Sequence, residues 1–364
     1  MALNKVDKQL FCCSIGDVTL EIRGEPGLDA LLTIFRRRMT DFGLTGEGKA
    51  DLTLNIILSG SAPDRFTESS AGAAPADAWI DLILRRATAL QRRLWEGQRL
   101  TDLKTVLTQP AITPWLELFL QQPDRPGCVP LETGFLLFDL SRNNWILLME
   151  RPPIAEEPDE EKLWLIRVTI TIMNAVMCLL SLSLSTLEGV VVHAVGLKYR
   201  EGGYAFAASS GNGKTSLSMQ SPPGTVLADD GLVIRRRQDG YTIYPTPFRQ
   251  RPGGGKHQWA WHQQPVPLTE LYLLEKSGET RLGTVSRTEA IDRLLKASTH
   301  FFTFMDPESA VSVFDFWRAL ISQCPVARLQ WRKGDDFFQM MGKQPQMEVK
   351  HDNQKRTDGL AAGI

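Results

Sequence analysis

The chain has 364 residues, with 41 basic and 42 acidic side chains and a formal charge of −1. That balance gives no support for broad binding to nucleic acid or an anionic membrane, which an excess of cations would favour. With 43% hydrophobic residues the chain can bury a substantial core, and its length suits about two domains.

The N-terminus, MALNKVDKQLFCCSIG, has no long apolar run after its lysines and is not expected to be a secretory signal. Cys12, Cys13, Cys128, Cys178 and Cys324 are scattered, without a CxxC pair or a Cys/His cluster at metal spacing. A reduced, cytoplasmic setting fits them best. Residues 9 to 23 read as strand, with Val18, Leu20 and Ile22 alternating against polar neighbours. Leu28 to Phe42 reads as an amphipathic helix with Arg36, Arg37 and Arg38 on its solvated face. Leu52 to Leu58 is a β-leaning run, Ser59 to Asp77 a Ser/Ala/Gly/Pro-rich excursion, and Trp79 to Leu100 helix again. Gly134 to Glu150 reads as a hairpin turning at Ser141–Asn144.

The proline- and acid-rich stretch 151–162 is expected to link an N-terminal α+β domain, residues 1–150, to a second domain over 163–343. Leu163 to Leu187 is long and apolar, but Arg167, Asn174 and several Ser and Thr residues interrupt it. A core helix is therefore expected, not a membrane span. Gly189 to Leu197 reads as a central strand carrying His193, and Glu201–Gly203 as a turn into the next strand. A lone His in such a strand is usually a packing residue. Here it directly precedes the most informative stretch of the chain.

That stretch is GGYAFAASSGNGKTSLS, from Gly202 to Ser218. A β-prone run enters Ser209-Ser210-Gly211-Asn212-Gly213-Lys214-Thr215-Ser216, and a helix-compatible segment leaves it. The strand–loop–helix layout is that of a phosphate-binding loop. Glycines let successive N–H groups turn toward phosphate oxygens. Lys214 would bring charge to the β- and γ-phosphates, and the Thr215 hydroxyl would ligate Mg²⁺. Lys214 is expected to face solvent when no ligand is bound. Ala208 stands where the usual pattern has its first glycine. Pro222-Pro223 ends the helix, and a strand from Thr225 to Ala228 runs into Asp229-Asp230, where metal ligands and a base are expected. A hairpin follows (Leu232–Arg237, Tyr241–Tyr244), then a strand at Leu268–Glu275 and helices at Ser286–Ser298 and Pro307–Ser322. The first of these helices is expected to be capped by Ser286 or Thr288. Trp259 and Trp261 bracket an alanine beside the loop, as packing residues or as the wall of a nucleobase or peptide groove. The polar tail 344–364 is expected to be disordered.

His193, the SSGNGKT loop and Asp229-Asp230 resemble the kinase domain of HPr serine kinase/phosphorylase, which shares its phosphate-loop fold with phosphoenolpyruvate carboxykinase. The resemblance covers about residues 160 to 335, including PVPLTELYLLEKSG and CPVARLQW. WLIRVTITIMNAV, GYAFAASSGNGKTSLS and LADDGLVIRR look closer still to the HPr-kinase-like proteins of peptide-modification cassettes, such as the SynChlorMet cassette family. It implies an α/β fold: an HPr-kinase/PEP-carboxykinase-like P-loop domain with a mixed central sheet, behind a smaller α+β domain. It implies ATP and Mg²⁺ as cofactors and transfer to a serine of a precursor peptide or small protein. By this resemblance Lys214 binds phosphate, Asp229 accepts the hydroxyl proton, and Thr215 and Asp230 hold metal, with the two aspartate roles exchangeable. His193 would orient an aspartate or contact phosphate. The family's second signature, a glutamate in an LEVRG-like segment, has no counterpart in PTPFRQRPGGG, where Arg249 or Arg251 would supply a cation instead. Phosphorolysis and HPr as substrate are therefore not implied. A kinase of a free small molecule and a nucleotide-binding scaffold that presents a peptide remain alternatives. Neither nucleic acid nor membrane is expected as a partner, and a homo-oligomer is left open.

Overall fold

The computed structural model describes residues 9–24, 33, 39, 50–59, 75–81, 98–108, 116, 126–140, 144–150, 158–248, 261–298 and 305–341. Strands β1 (Gln9–Ile15) and β2 (Val18–Gly24) are two arms of a hairpin rather than one strand. Its two-residue turn, Gly16-Asp17, has φ of 61° and 55°, the doubly positive pair that a tight hairpin of the right twist requires. β3 (Leu52–Ser59) runs parallel to β2 and to β6 (Asn144–Glu150). β5 (Gly134–Asp139) pairs antiparallel with β6, as the hairpin reading expected, and with β4 (Pro126–Leu131). Pro126, Gly127 and Pro130 hide β4 in the sequence, and prolines are tolerated because β4 is the sheet's edge. The six-stranded order is β1-β2-β3-β6-β5-β4.

One face of this sheet (Ile57, Leu137, Ile146, Leu148) packs with Trp79 and Ile80, from helical residues 75–81, and with Leu103 and Leu107 of α1 (Gln98–Leu107). The opposite face packs on α2 (Pro158–Leu184). α2 starts inside the stretch expected to be linker. Pro158 lacks the N–H that a first turn leaves unpaired, and Asp159 and Glu160 suit the positive end of a helix. Asp159, Glu160 and Glu161 thus belong to the helix's first turn, and residues 151–157 lie outside the described residues. α2 is long and apolar enough to cross a membrane, but 72% of its most apolar window is buried within the fold, as in a core helix. Of the segment 28–42, Thr33 and Met39 are described and both are helical; the tail 344–364, Arg249, Arg251 and Trp259 lie outside the described residues.

β7 (Gly189–Tyr199) and β8 (Gly202–Ala207) form an antiparallel pair across Arg200-Glu201. Then come α3 (Lys214–Gln220), β9 (Val226–Ala228), β10 (Gly231–Arg237), β11 (Gly240–Tyr244), β12 (Val266–Lys276), β13 (Arg281–Gly283), α4 (Arg287–Ala297), α5 (Pro307–Gln323) and β14 (Val326–Trp331). Their eight-stranded sheet has the order β11-β10-β7-β8-β12-β14-β13, with β9 on β7. β8, β12 and β14 are mutually parallel and the rest antiparallel, so the sheet is mixed and the class is α/β. Ser286 Oγ caps α4 by accepting from the Glu289 amide at 3.2 Å. Asp306 caps α5, with Pro307 following at the first helical position.

The two sheets meet in one apolar cluster that runs from Phe11 and Leu54 through α2 to Val190, Leu232 and Trp317. The β1–β2 turn docks on β10. Arg235 donates to the Gly16 carbonyl at 2.7 Å and to the Leu187 carbonyl at 3.0 Å, and Arg237 and the Tyr244 hydroxyl both donate to Asp17.

Candidate functional site

The site gathers where β8 ends and β10 begins, and β7 is the strand between them. His193 lies opposite Gly231 in the β7–β10 register. The carbonyl of His193 accepts the Ala208 amide at 3.3 Å, and the Ala194 amide donates to the Asp230 carbonyl at 3.1 Å. One residue of a central strand is therefore hydrogen-bonded to the first residue of the loop and adjacent to the turn that carries the carboxylates. Its side chain completes the link: His193 Nε2 is 2.8 Å from Asp230 Oδ1. His193, expected as an aspartate-orienting group, is paired with one of the two expected aspartates.

The loop folds as its glycines predict. Gly211 and Gly213 have φ of 83° and 93°, a region closed to most side chains. Left-handed positions within a turn make a concave row of N–H groups, an anion nest. Asn212 Nδ2 donates to Ser209 Oγ at 2.8 Å and ties the loop across its mouth. Ala208, in the place of the usual glycine, is buried in an apolar cluster with Phe206, Leu217 and Trp331. Its methyl packs behind the loop, which is why alanine is accommodated.

Lys214 departs from the expectation of a solvent-facing ammonium. It is 5% exposed, and Nζ donates to the carbonyls of Ala208 at 2.7 Å and Ser209 at 3.1 Å. The ammonium curls back on the first two carbonyls of its own loop. Burial pushes its pKa down to about 8, and the Asp230 charge pulls the other way. Asp230 is therefore close enough to Lys214 to be felt, which joins the loop to the carboxylates electrostatically as well as through β7.

The two aspartates differ in access. Asp229 is 2% exposed, whereas the Asp230 side chain is 25% exposed. Thr215, in the first turn of α3, is partly exposed. Among the described residues no group of three or more His, Cys, Asp or Glu could hold a metal by itself. A hydroxyl and a carboxylate are hard oxygen donors of the kind Mg²⁺ takes when substrate phosphates complete its shell, so the residues fit that ion.

The expected cations of PTPFRQRPGGG, Arg249 and Arg251, lie outside the described residues. The fold does fix where their segment leaves and returns. Phe248 accepts the Gly231 amide at 3.5 Å, and the His262 amide donates to the Val226 carbonyl at 2.8 Å. Both anchors flank the Asp229-Asp230 turn. Trp261 packs against the same cluster as Leu217 and Trp331, as a packing residue does. A scan against protein-family models finds no match for this chain, and a search of curated proteins finds none.

Proposed function

We propose that the chain is an ATP-dependent kinase that transfers the γ-phosphoryl group to a hydroxyl, a serine's, on a peptide or small protein. The observation that carries this reading is the position of His193, bonded through its backbone to the loop and through Nε2 to Asp230. A phosphate loop and a carboxylate joined across one strand are the two halves that phosphoryl transfer needs: a cradle for the donor and an acceptor-facing base.

The roles follow from chemistry and access. The nest of Ser209–Ser216 and the Lys214 ammonium hold the β- and γ-phosphates, and Lys214 exchanges its two loop carbonyls for phosphate oxygens. Asp230 is the more accessible carboxylate, so it takes the acceptor proton, held in orientation by His193. This exchanges the two roles as first read, because Asp229 is the more buried of the two. The acceptor oxygen forms its bond to γ-phosphorus as the bond to the β-bridging oxygen breaks, and ADP leaves. Thr215 and Asp229, the carboxylate not used as base, would hold Mg²⁺, which would neutralise phosphate charge. The likeness to peptide-modification kinases supports a peptide acceptor, and the N-terminal domain over 1–150 is the candidate for gripping it.

The test is ATP labelled at the γ-phosphate, with Mg²⁺ and a panel of serine-containing peptides. Label on peptide, lost in Lys214→Ala, is the expected result. Tight ATP binding without transfer to any hydroxyl would overturn the kinase reading in favour of a scaffold.

A further inference from the structure

The loop rests on a residue that no phosphate-loop pattern contains. Trp331 is the last residue of β14 and is 1% exposed. A Cβ built on Gly213 would lie 3.4 Å from Cζ3 and 3.5 Å from Cε3 of its indole. The ring therefore faces Gly213, the residue before Lys214, at ordinary van der Waals distance from where a side chain there would begin. Topology explains the approach. β8 and β14 flank β12 and all three are parallel, so their carboxyl ends share one edge of the sheet. The loop leaves β8 and reaches the end of β14 across the end of β12.

The indole is itself fixed. Nε1 donates to the Asp335 carbonyl at 3.2 Å, and Phe337 meets the ring edge-on at 6.1 Å between centroids. Phe337 in turn stands edge-on to Phe206 of β8, at 5.6 Å. Asp335 accepts from the Thr280 hydroxyl at 2.7 Å and from Arg332 at 2.8 Å. Residues after β14 thus brace the indole, which faces Gly213 of the loop.

We propose that Trp331 is a positioning residue for the nucleotide phosphates: its indole floors the loop at Gly213 and keeps the left-handed turn that aims Lys214 and the loop amides. This inference rests on the nucleotide reading above. It acts on phosphate and not on nucleoside, because the indole faces the loop from its buried side and is shielded from solvent. Its removal leaves the loop free to sink into the vacated volume, and a small misplacement at a preorganised site is costly.

The experiment is calorimetric titration of wild type, Trp331→Phe and Trp331→Ala with AMP, ADP and ATP, alongside thermal unfolding. Phenylalanine keeps an apolar ring and the fold but leaves a gap beneath Gly213, so it reports even if the alanine variant does not fold. The expected result is a loss graded by phosphate count, at least ~10-fold for ATP and under ~2-fold for AMP, with Phe between wild type and Ala. Equal losses for all three nucleotides, or none, would overturn the positioning role while leaving the kinase reading intact. Failure of the wild type to bind any of the three would overturn the kinase reading and this inference with it.

Discussion

Burial sets the ionisation of Lys214, and two consequences follow at the scale of the residue. Its pKa is about 8 without ligand, against 10.5 when exposed, with desolvation the main cause. Between those values the unfolded chain holds more protons than the folded one, so the folded state gains on the unfolded one as pH rises from about 8 to 10.5. Lys214→Met lacks this dependence. Urea titrations across that range should show wild type gaining on the mutant by at most about 3 kcal/mol, from roughly 1.4 kcal/mol per pKa unit. A flat difference would mean that the ammonium is not desolvated. ATP affinity should run the opposite way, full below about pH 8 and falling above it, because the phosphates need the charge that the free lysine loses. The two aspartates make the second residue-scale contrast. Asp230→Asn should cut transfer by ~10²–10⁴-fold with ATP affinity little changed, the usual contribution of a positioned base. Asp229→Asn should instead raise the Mg²⁺ concentration needed for activity. Identical metal titrations of the two mutants would refute the division of roles.

At the scale of the element, β7 is the part that makes a site out of separate motifs. The loop follows β8, the carboxylates precede β10, and both strands pair with β7. Sequence supplies each strand separately, but which strands lie together depends on long-range pairing. The helices are more locally determined. Asp306 accepts from the amides of Glu308 at 3.1 Å and Ser309 at 3.2 Å and starts α5. Asp306→Ala should cost about 1 kcal/mol of stability, the usual worth of an N-cap, with ATP affinity unchanged. Thermal unfolding with and without ATP would check both parts, and a loss of nucleotide binding would mean that α5 supports the site.

At the scale of the whole molecule, the long helix α2 decides how the two sheets cohere. It lies against β4 and β6 on one side and β7 on the other, and its buried residues belong to a cluster containing both sheets. Neither sheet completes its core without it. A chain beginning at Pro158 should therefore expose an apolar face and aggregate, while the 364-residue protein should unfold in one transition. Size-exclusion of the shortened chain and denaturation followed by two probes would check this; a monomeric, folded fragment would make the sheets independent domains. Arg235, holding the Gly16 and Leu187 carbonyls, locks the β1–β2 turn onto the same assembly.

The sequence by itself determined what local chemistry can specify. Glycines at 211 and 213, Lys214 and Thr215 between a strand and a helix, and Asp229-Asp230 at the end of a strand were legible because each depends on its neighbours along the chain. The apolar character of α2 and the cap of α4 were legible for the same reason. The β1–β2 turn was missed because two residues suffice to reverse a strand, and β4 because its prolines mask an edge strand that has no ladder on one side. Tertiary structure alone decided the rest. It bonded His193 to Asp230, buried Lys214 among carbonyls of its own loop, set Asp229 deeper than Asp230, and brought Trp331 beneath Gly213. Each of these joins residues through strand register or packing across the sheet, and register is fixed only when the whole apolar core closes.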